Sequence, residues 1–184
     1  MVIKELYADE KKIIVLDGII EQSVSDAFYE MISKQRFARH ERDFDEDKYP
    51  IFSIDLNPEK FETESPIGIA ARHIIENIAH QQGYMLKRSY VNMCQYGDME
   101  FPHRDCGIYD TDVTVLYYVN NKWDHSWGGE TLFYENNEAK AAVSPRPGRF
   151  VFFYGAVEHV GTVPTRICSE SRFSLALKYE KANQ

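Results

Sequence analysis

Cysteine is scarce in this sequence: three residues, Cys94, Cys106 and Cys168, none of them in CxxC spacing. An odd, scattered set builds neither a disulfide framework nor a zinc knuckle, so the thiols are expected to stay reduced. No apolar run approaches the ~20 residues that cross a bilayer, and no basic start followed by an apolar stretch resembles a secretory leader. The expected location is therefore cytoplasmic, with no membrane contact. Basic residues are in deficit: 21 Lys and Arg against 29 Asp and Glu leave a formal charge of −8. That removes the clustered cations that a sequence-independent grip on nucleic acid requires. Repeats and low-complexity tracts are missing too, and a chain of 184 residues is expected to form a single domain, 1–184.

Aromatic residues are plentiful at 14%, which leans toward β-structure. "KKIIVLD" (11–17) predicts a strand. "SVSDAFYEMISKQRF" (23–37) carries Val24, Ala27, Phe28, Met31 and Ile32 as a helical stripe with Ser23 placed to cap it. "IFSIDL" suggests a short strand, and "SPIGIAARHIIENIAHQQG" (65–83) offers a capping Ser, a first-turn Pro and a terminal Gly. From residue 84 the texture becomes short β-branched and aromatic runs separated by "WGG", "PRPG" and "PTR". This predicts a mainly β fold with N-terminal helices (α+β), an antiparallel sandwich or barrel. Residues 1–83 supply helical support and an opening strand, and 84–180 the core.

"FPHRDCGIYD" (101–110) places His103 and Asp105 two apart. Side chains at i and i+2 of a strand share a face, so both can aim into a barrel mouth. HxD triplets are common on surfaces, so the pair alone reads as an ordinary polar corner. "FYGAVEHVGTVP" supplies a third candidate ligand, His159. Two His and one carboxylate on one face of an octahedron leave three open positions, the arrangement of non-heme Fe(II) oxygenases. In "ESRFSLALKYE", alternation puts Arg172, Ser174, Ala176 and Lys178 on one face against Phe173, Leu175, Leu177 and Tyr179. Arg172 with Ser174 can hold a carboxylate through a fork of N–H donors plus a hydroxyl.

With these residues in view the sequence resembles the Fe(II)- and 2-oxoglutarate-dependent dioxygenases, prolyl 4-hydroxylase-like branch. The resemblance covers roughly residues 84–180. It rests on His103-x-Asp105, His159 and Arg172-x-Ser174, and on "TVLYYVNNKWDHSWGGETLFY" (114–134), which is similar to the YYLN…W…GG segment of the oxygen-sensing prolyl hydroxylases. It implies a double-stranded β-helix (jelly-roll, cupin-like) with two N-terminal helices along one sheet. It also implies Fe(II) on His103, Asp105 and His159, and 2-oxoglutarate chelating the metal with its far carboxylate on Arg172, Tyr118 and Ser174. Tyr96, in a Tyr-Gly turn similar to the family's "YPG", is expected near the co-substrate. O2 is the oxidant and ascorbate the expected reductant.

The implied activity is hydroxylation of an unactivated C–H bond, with a prolyl residue in a peptide or protein as the leading substrate. A hydroxylase of a free amino acid or other small metabolite would share every residue named. A non-catalytic cupin-like binding module is the alternative of another class. Asp105 argues against the halogenating relatives, in which a small residue replaces the carboxylate. Arg166 is a rival anchor, but no Ser follows it two residues on.

Several further residues invite over-reading. His73 and His80 lie seven apart, too far for one ion on a helix. His125 either lines the mouth or is a plain loop histidine. Residues 38–64 carry nine acids against four bases, 4 − 9 = −5, and read as either a lid over the metal favouring a cationic substrate or a solvated loop.

Overall fold

The computed structural model describes residues 1–182. Its chain order is β1 (Val2–Ala8), β2 (Lys11–Asp17), α1 (Gln22–Ile32), β3 (Ala38–Glu41), β4 (Ile51–Leu56), α2 (Pro58–Glu64) and α3 (Pro66–His73). α3 runs on into a π-helical turn at Ile74–Ile78. There follow β5 (Tyr84–Cys94), β6 (Val113–Tyr118), a 3-10 turn (His125–Trp127), β7 (Thr131–Glu135), β8 (Glu138–Val143), β9 (Phe150–Tyr154), β10 (His159–Gly161) and β11 (Arg172–Lys181). Eight strands pair antiparallel in the order β1-β2-β9-β6-β11-β5-β4-β3, and three pair as β10-β7-β8. The architecture is a double-stranded β-helix, or jelly-roll.

Period-two patterning decides which side of the large sheet each residue meets. Val113, Val115 and Tyr117 of β6, Phe150 and Phe152 of β9, and Phe173, Leu175, Leu177 and Tyr179 of β11 join Phe28 and Ile32 of α1 and Ile67, Ala71 and Ile74 in one core. The opposite face sends Tyr118, Val151 and Phe153 against Phe133 of the small sheet. Between the two sheets this second core gives way to a polar cavity, which Thr114, Ser174 and Arg172 line.

Three elements escape the sequence expectations. β1 and β2 join through Asp9 and Glu10, both at positive φ (48° and 58°), a hairpin turn built without the glycine or asparagine that usually marks it. α2 has no buried residue, so no apolar stripe betrays it; Pro58 at its start and the Asn57 cap on Lys60 N (2.8 Å) define it. β3 is four residues long with one buried side chain. α1 begins at Gln22 behind Glu21, so Ser23 lies inside the first turn and does not cap it, and it ends at Ile32, short of Phe37. Ser65 caps α3 as expected, accepting from Ile67 N, but the helix closes in the π-helical turn and His80 is left-handed (φ 54°) before Gly83. Among the described residues no helix is long and apolar enough to cross a membrane.

Candidate metal centre

His103 and His159 face one another across an isolated antiparallel bridge and exchange both backbone hydrogen bonds, at 3.0 and 2.9 Å. Asp105 N donates to Gly155 O at 2.8 Å. The His-x-Asp segment is thus a bridged turn, not a regular strand, pinned to the chain around β9 and β10. One ligand atom from each of His103, Asp105 and His159 can be chosen so that all lie within 4.8 Å of one another. Asp105 Oδ1 stands 3.5 Å from His103 Nε2 and 3.6 Å from His159 Nε2. Each Nδ1 faces a backbone carbonyl two residues upstream, Phe101 O and Val157 O, at 2.9 Å. A proton on Nδ1 donated to that carbonyl leaves both Nε2 lone pairs toward the Asp105 oxygen, the tautomer a metal ligand needs. The donor set fits a divalent ion of the non-heme iron type.

Electrostatics separate the two imidazoles. Burial pulls His103 down, but hydrogen bonds to Asp105 and Asp43 and their charges outweigh it and raise the ring to about 10. His159 is buried without a second carboxylate beside it and falls to about 4. For Asp105 burial works upward, but Lys178, His159 and His103 hold it well below the usual carboxylate range. Its Oδ2 is shared by Lys178 Nζ and Thr114 Oγ1.

At the other end of the cavity Arg172 is buried (2 % exposed), and the hydrogen bonds of its guanidinium go to neutral groups. Nε donates to Gly129 O (2.8 Å), Nη1 to Ser174 Oγ (3.1 Å) and Nη2 to Thr131 Oγ1 (3.4 Å). A buried cation answered by neutral partners is a seat for a carboxylate. Two glycines make the room. Gly129 (φ +78°) brings its carbonyl to Arg172, and a Cβ there would stand 3.0 Å from Arg172 Cδ and 3.1 Å from Trp123. A Cβ on Gly161 would meet Glu100 Oε2 at 2.8 Å and both Arg172 terminal nitrogens at 3.3 Å. Glu100 therefore shares this end of the cavity; burial raises its pKa, with Arg172 opposing. Asn92, on β5, lines the same cavity, and among the described residues its Oδ1 is buried without a hydrogen-bond partner. An acceptor waiting for a donor and a guanidinium waiting for an anion suit a small polar acid.

The cavity brings His103, His159, Arg172 and Ser174 together, with Asp105 beneath its wall. Tyr118 and Tyr96 do not line it. Tyr118 packs its ring against the guanidinium (5.5 Å) and spends its hydroxyl on Thr131 Oγ1 (2.7 Å) and Val143 O (2.9 Å), so Thr131 presents the hydroxyl to the cavity in its place. Tyr96 follows the end of β5 in an exposed turn (64 %), outside the cavity. Arg166 and His125 are exposed loop residues outside the cavity. Residues 38–64 are not one long loop but β3, β4 and α2 around a loop at 42–50. Their acids are answered from outside the segment: Glu41 and Asp55 pair with Arg88, Glu62 with Arg72, and Asp43 Oδ1 lies 3.1 Å from His103 Nδ1. Asp43, Thr114, Thr131 and Asn92 were not singled out by spacing. Lys178 carried a signal, since it shares the alternating face of Arg172.

Residues 91–179 match the family model described as the 2OG-Fe(II) oxygenase superfamily. No curated protein matches the chain in sequence. Among solved structures, the viral collagen prolyl hydroxylase from Paramecium Bursaria Chlorella virus-1 superposes with a TM-score of 0.66 at 18% identity, over 96% of this chain and 94% of that one. A prolyl hydroxylase from Trichoplax adhaerens, in complex with a hypoxia inducible factor oxygen degradation domain peptide fragment, gives 0.67 at 16% identity, over 92% and 83%. The non-heme alpha ketoglutarate dependent epimerase SnoN from nogalamycin biosynthesis gives 0.66 at 11%, over 92% and 78%. At these identities the likeness is one of fold. The matched segment runs from the strand carrying Asn92 to the one carrying Arg172 and Lys178, includes the His103, Asp105 and His159 cluster, and over those residues is similar to the 2OG-Fe(II) oxygenase superfamily.

Proposed function

We propose that the protein is an Fe(II)- and 2-oxoglutarate-dependent dioxygenase that hydroxylates an unactivated C–H bond, with a prolyl residue of a peptide or protein as its substrate. Residues 84–180 form the catalytic core and 1–83 its support, within one domain. The observation that carries the reading is a single cavity with a two-His, one-carboxylate cluster at one end and a buried guanidinium bonded to neutral groups at the other.

His103 and His159 would bind Fe(II) through Nε2, each ring oriented by its Nδ1–H donating to a backbone carbonyl, and Asp105 would bind through Oδ1. Arg172, Ser174 and Thr131 would hold the far carboxylate of 2-oxoglutarate. When bound, iron and 2-oxoglutarate supply the oxidising chemistry, which in this family couples decarboxylation of the co-substrate to succinate and CO2 with oxidation of the primary substrate by O2. Leu116, Phe153 and Ala176 supply apolar lining to the same cavity. Ascorbate would serve as reductant.

A peptide substrate is supported by the peptide-bound relative of the same fold. The epimerase of that fold supports the second reading, a small-molecule substrate. The deciding experiment supplies Fe(II), 2-oxoglutarate, O2 and ascorbate with prolyl peptides and with amino-acid and metabolite pools. The expected result is succinate production that rises with a prolyl peptide, together with a peptide heavier by one oxygen atom. Turnover with a metabolite pool alone would move the substrate to the second reading. No substrate-dependent succinate anywhere would favour a cupin-like binding module.

A further inference from the structure

Asp105 turns its two oxygens to different neighbours. Oδ1 faces both imidazoles, and Oδ2 receives Lys178 Nζ and Thr114 Oγ1. The arrangement is built into the sheet. Lys178 of β11 and Thr114 of β6 are direct cross-strand partners, so the two donors rise side by side from the cavity face. A register shift in the β11–β5 pairing falls between Lys178 and Tyr179, an irregularity of the kind that re-aims a side chain. Lys178 and Asp105 are both largely buried, at 21 % and 9 % side-chain exposure, so their attraction is weakly screened.

An ammonium beside a metal-binding carboxylate repels the cation that the carboxylate would bind. Some gain elsewhere must offset that cost. A free carboxylate can turn and give a metal both oxygens, taking two coordination positions where one is intended. Co-substrate and O2 together need three open positions on a six-coordinate ion, so a second Asp105 oxygen would displace one of them.

We propose that Lys178 and Thr114 are positioning residues that engage Asp105 Oδ2, so that Asp105 presents one oxygen to the metal and three positions stay open. The inference rests on the metal and co-substrate reading given under Proposed function. It separates two quantities that a merely structural contact would move together. Without the clamp the metal loses a repelling neighbour and gains a second oxygen, while 2-oxoglutarate loses part of its chelation site.

The test uses the full chain with Co(II) as an O2-tolerant probe whose visible absorption reports coordination number, followed by titration of 2-oxoglutarate into the Co(II)-loaded protein. Lys178→Met, close in length and shape, should bind Co(II) at least as tightly as the wild type. Its affinity for 2-oxoglutarate should fall about tenfold or more, with an altered Co(II) spectrum. Thr114→Val should move both readings in the same direction by less. Lys178→Arg, which keeps a cationic donor, should restore the wild-type spectrum and co-substrate affinity. Wild-type 2-oxoglutarate affinity and spectrum in Lys178→Met, or a parallel loss of Co(II) and 2-oxoglutarate affinity, would overturn this inference alone. Failure of the wild-type protein to bind Co(II) at all would overturn the functional reading and this inference with it.

Discussion

His103 and His159, 56 residues apart, are paired backbone to backbone, each amide donating to the other's carbonyl, with ring centroids 4.6 Å apart. The spacing of the two imidazoles is therefore set by main-chain hydrogen bonds that no side-chain substitution removes. His103→Ala and His159→Ala should each abolish Fe(II) or Co(II) binding while leaving the far-ultraviolet circular dichroism of the sheets unchanged. Retained stoichiometric metal binding in either variant, measured by calorimetry, would remove that histidine from the ligand set.

The two histidines should give the metal-free protein a stability maximum near neutral pH. His159 falls from 6.5 to about 4 on folding, so between those values the unfolded chain binds more protons and stability rises with pH, by about 3 kcal/mol over 6.5 − 4 = 2.5 pH units. His103 rises from 6.5 to about 10, so its contribution is complete below 6.5 and is lost as pH climbs toward 10. Urea midpoints across pH 4–10 should trace this dome. Metal binding must displace the His103 proton, so divalent-ion affinity should increase with pH, by up to about tenfold per unit while one proton leaves.

Arg172 and Arg166 provide an internal comparison. Arg172→Ala removes charge-assisted hydrogen bonds worth about 1.5–3 kcal/mol, roughly ten- to a hundredfold in 2-oxoglutarate affinity, while Arg166→Ala, on an exposed loop, should change nothing. Tyr118→Phe leaves the Val143 carbonyl short of a donor and should cost about 1 kcal/mol of stability with a small effect on the co-substrate. Competition binding of 2-oxoglutarate alongside denaturant midpoints separates the two effects.

What the sequence revealed follows from periodicity. Alternation in β11 put Arg172, Ser174 and Lys178 on one side and Phe173, Leu175 and Leu177 on the other, and the structure uses both sides as the pattern requires. The His103-x-Asp105 pair was visible because its two residues are neighbours in the chain. Partners supplied by distant segments were not visible: Asp43 reaches His103 from the loop after β3, and Thr131 takes the place expected of Tyr118 because the inward-facing Tyr118 hydroxyl is engaged by Thr131 and by the Val143 carbonyl, which residue type does not tell. The acidic run at 38–64 was legible only as charge, since the Arg88 that pairs with Glu41 and Asp55 and the Arg72 that pairs with Glu62 lie on β5 and α3.

That run also supplies the sharpest test of whether its charge matters as a field or through one residue. Asp43 Oδ1 lies 3.1 Å from His103 Nδ1, and Oδ2 accepts from the Phe101 amide, so both oxygens are committed to the segment that carries the metal cluster. Asp47 is buried and accepts from the Tyr49 amide (2.7 Å), shaping the loop from within, while Asp45 and Glu46 are exposed. Carboxylates that partner the far nitrogen of a metal-binding imidazole orient it and raise its basicity, and losing one costs about 10–100-fold in metal affinity. Asn at position 43 keeps the size but turns an NH2 group toward the imidazole N–H or the Phe101 amide, either of which is itself a donor. Asp43→Asn should therefore weaken Co(II) binding by that factor, and salt should not restore it. The pair Asp45→Asn and Glu46→Gln should leave metal affinity as it is, and a lid acting through its field would show instead as a substrate affinity that loses its salt dependence in this pair. If Asp43→Asn binds metal like the wild type while the exposed pair alters substrate affinity, the loop acts on the substrate and not on the metal.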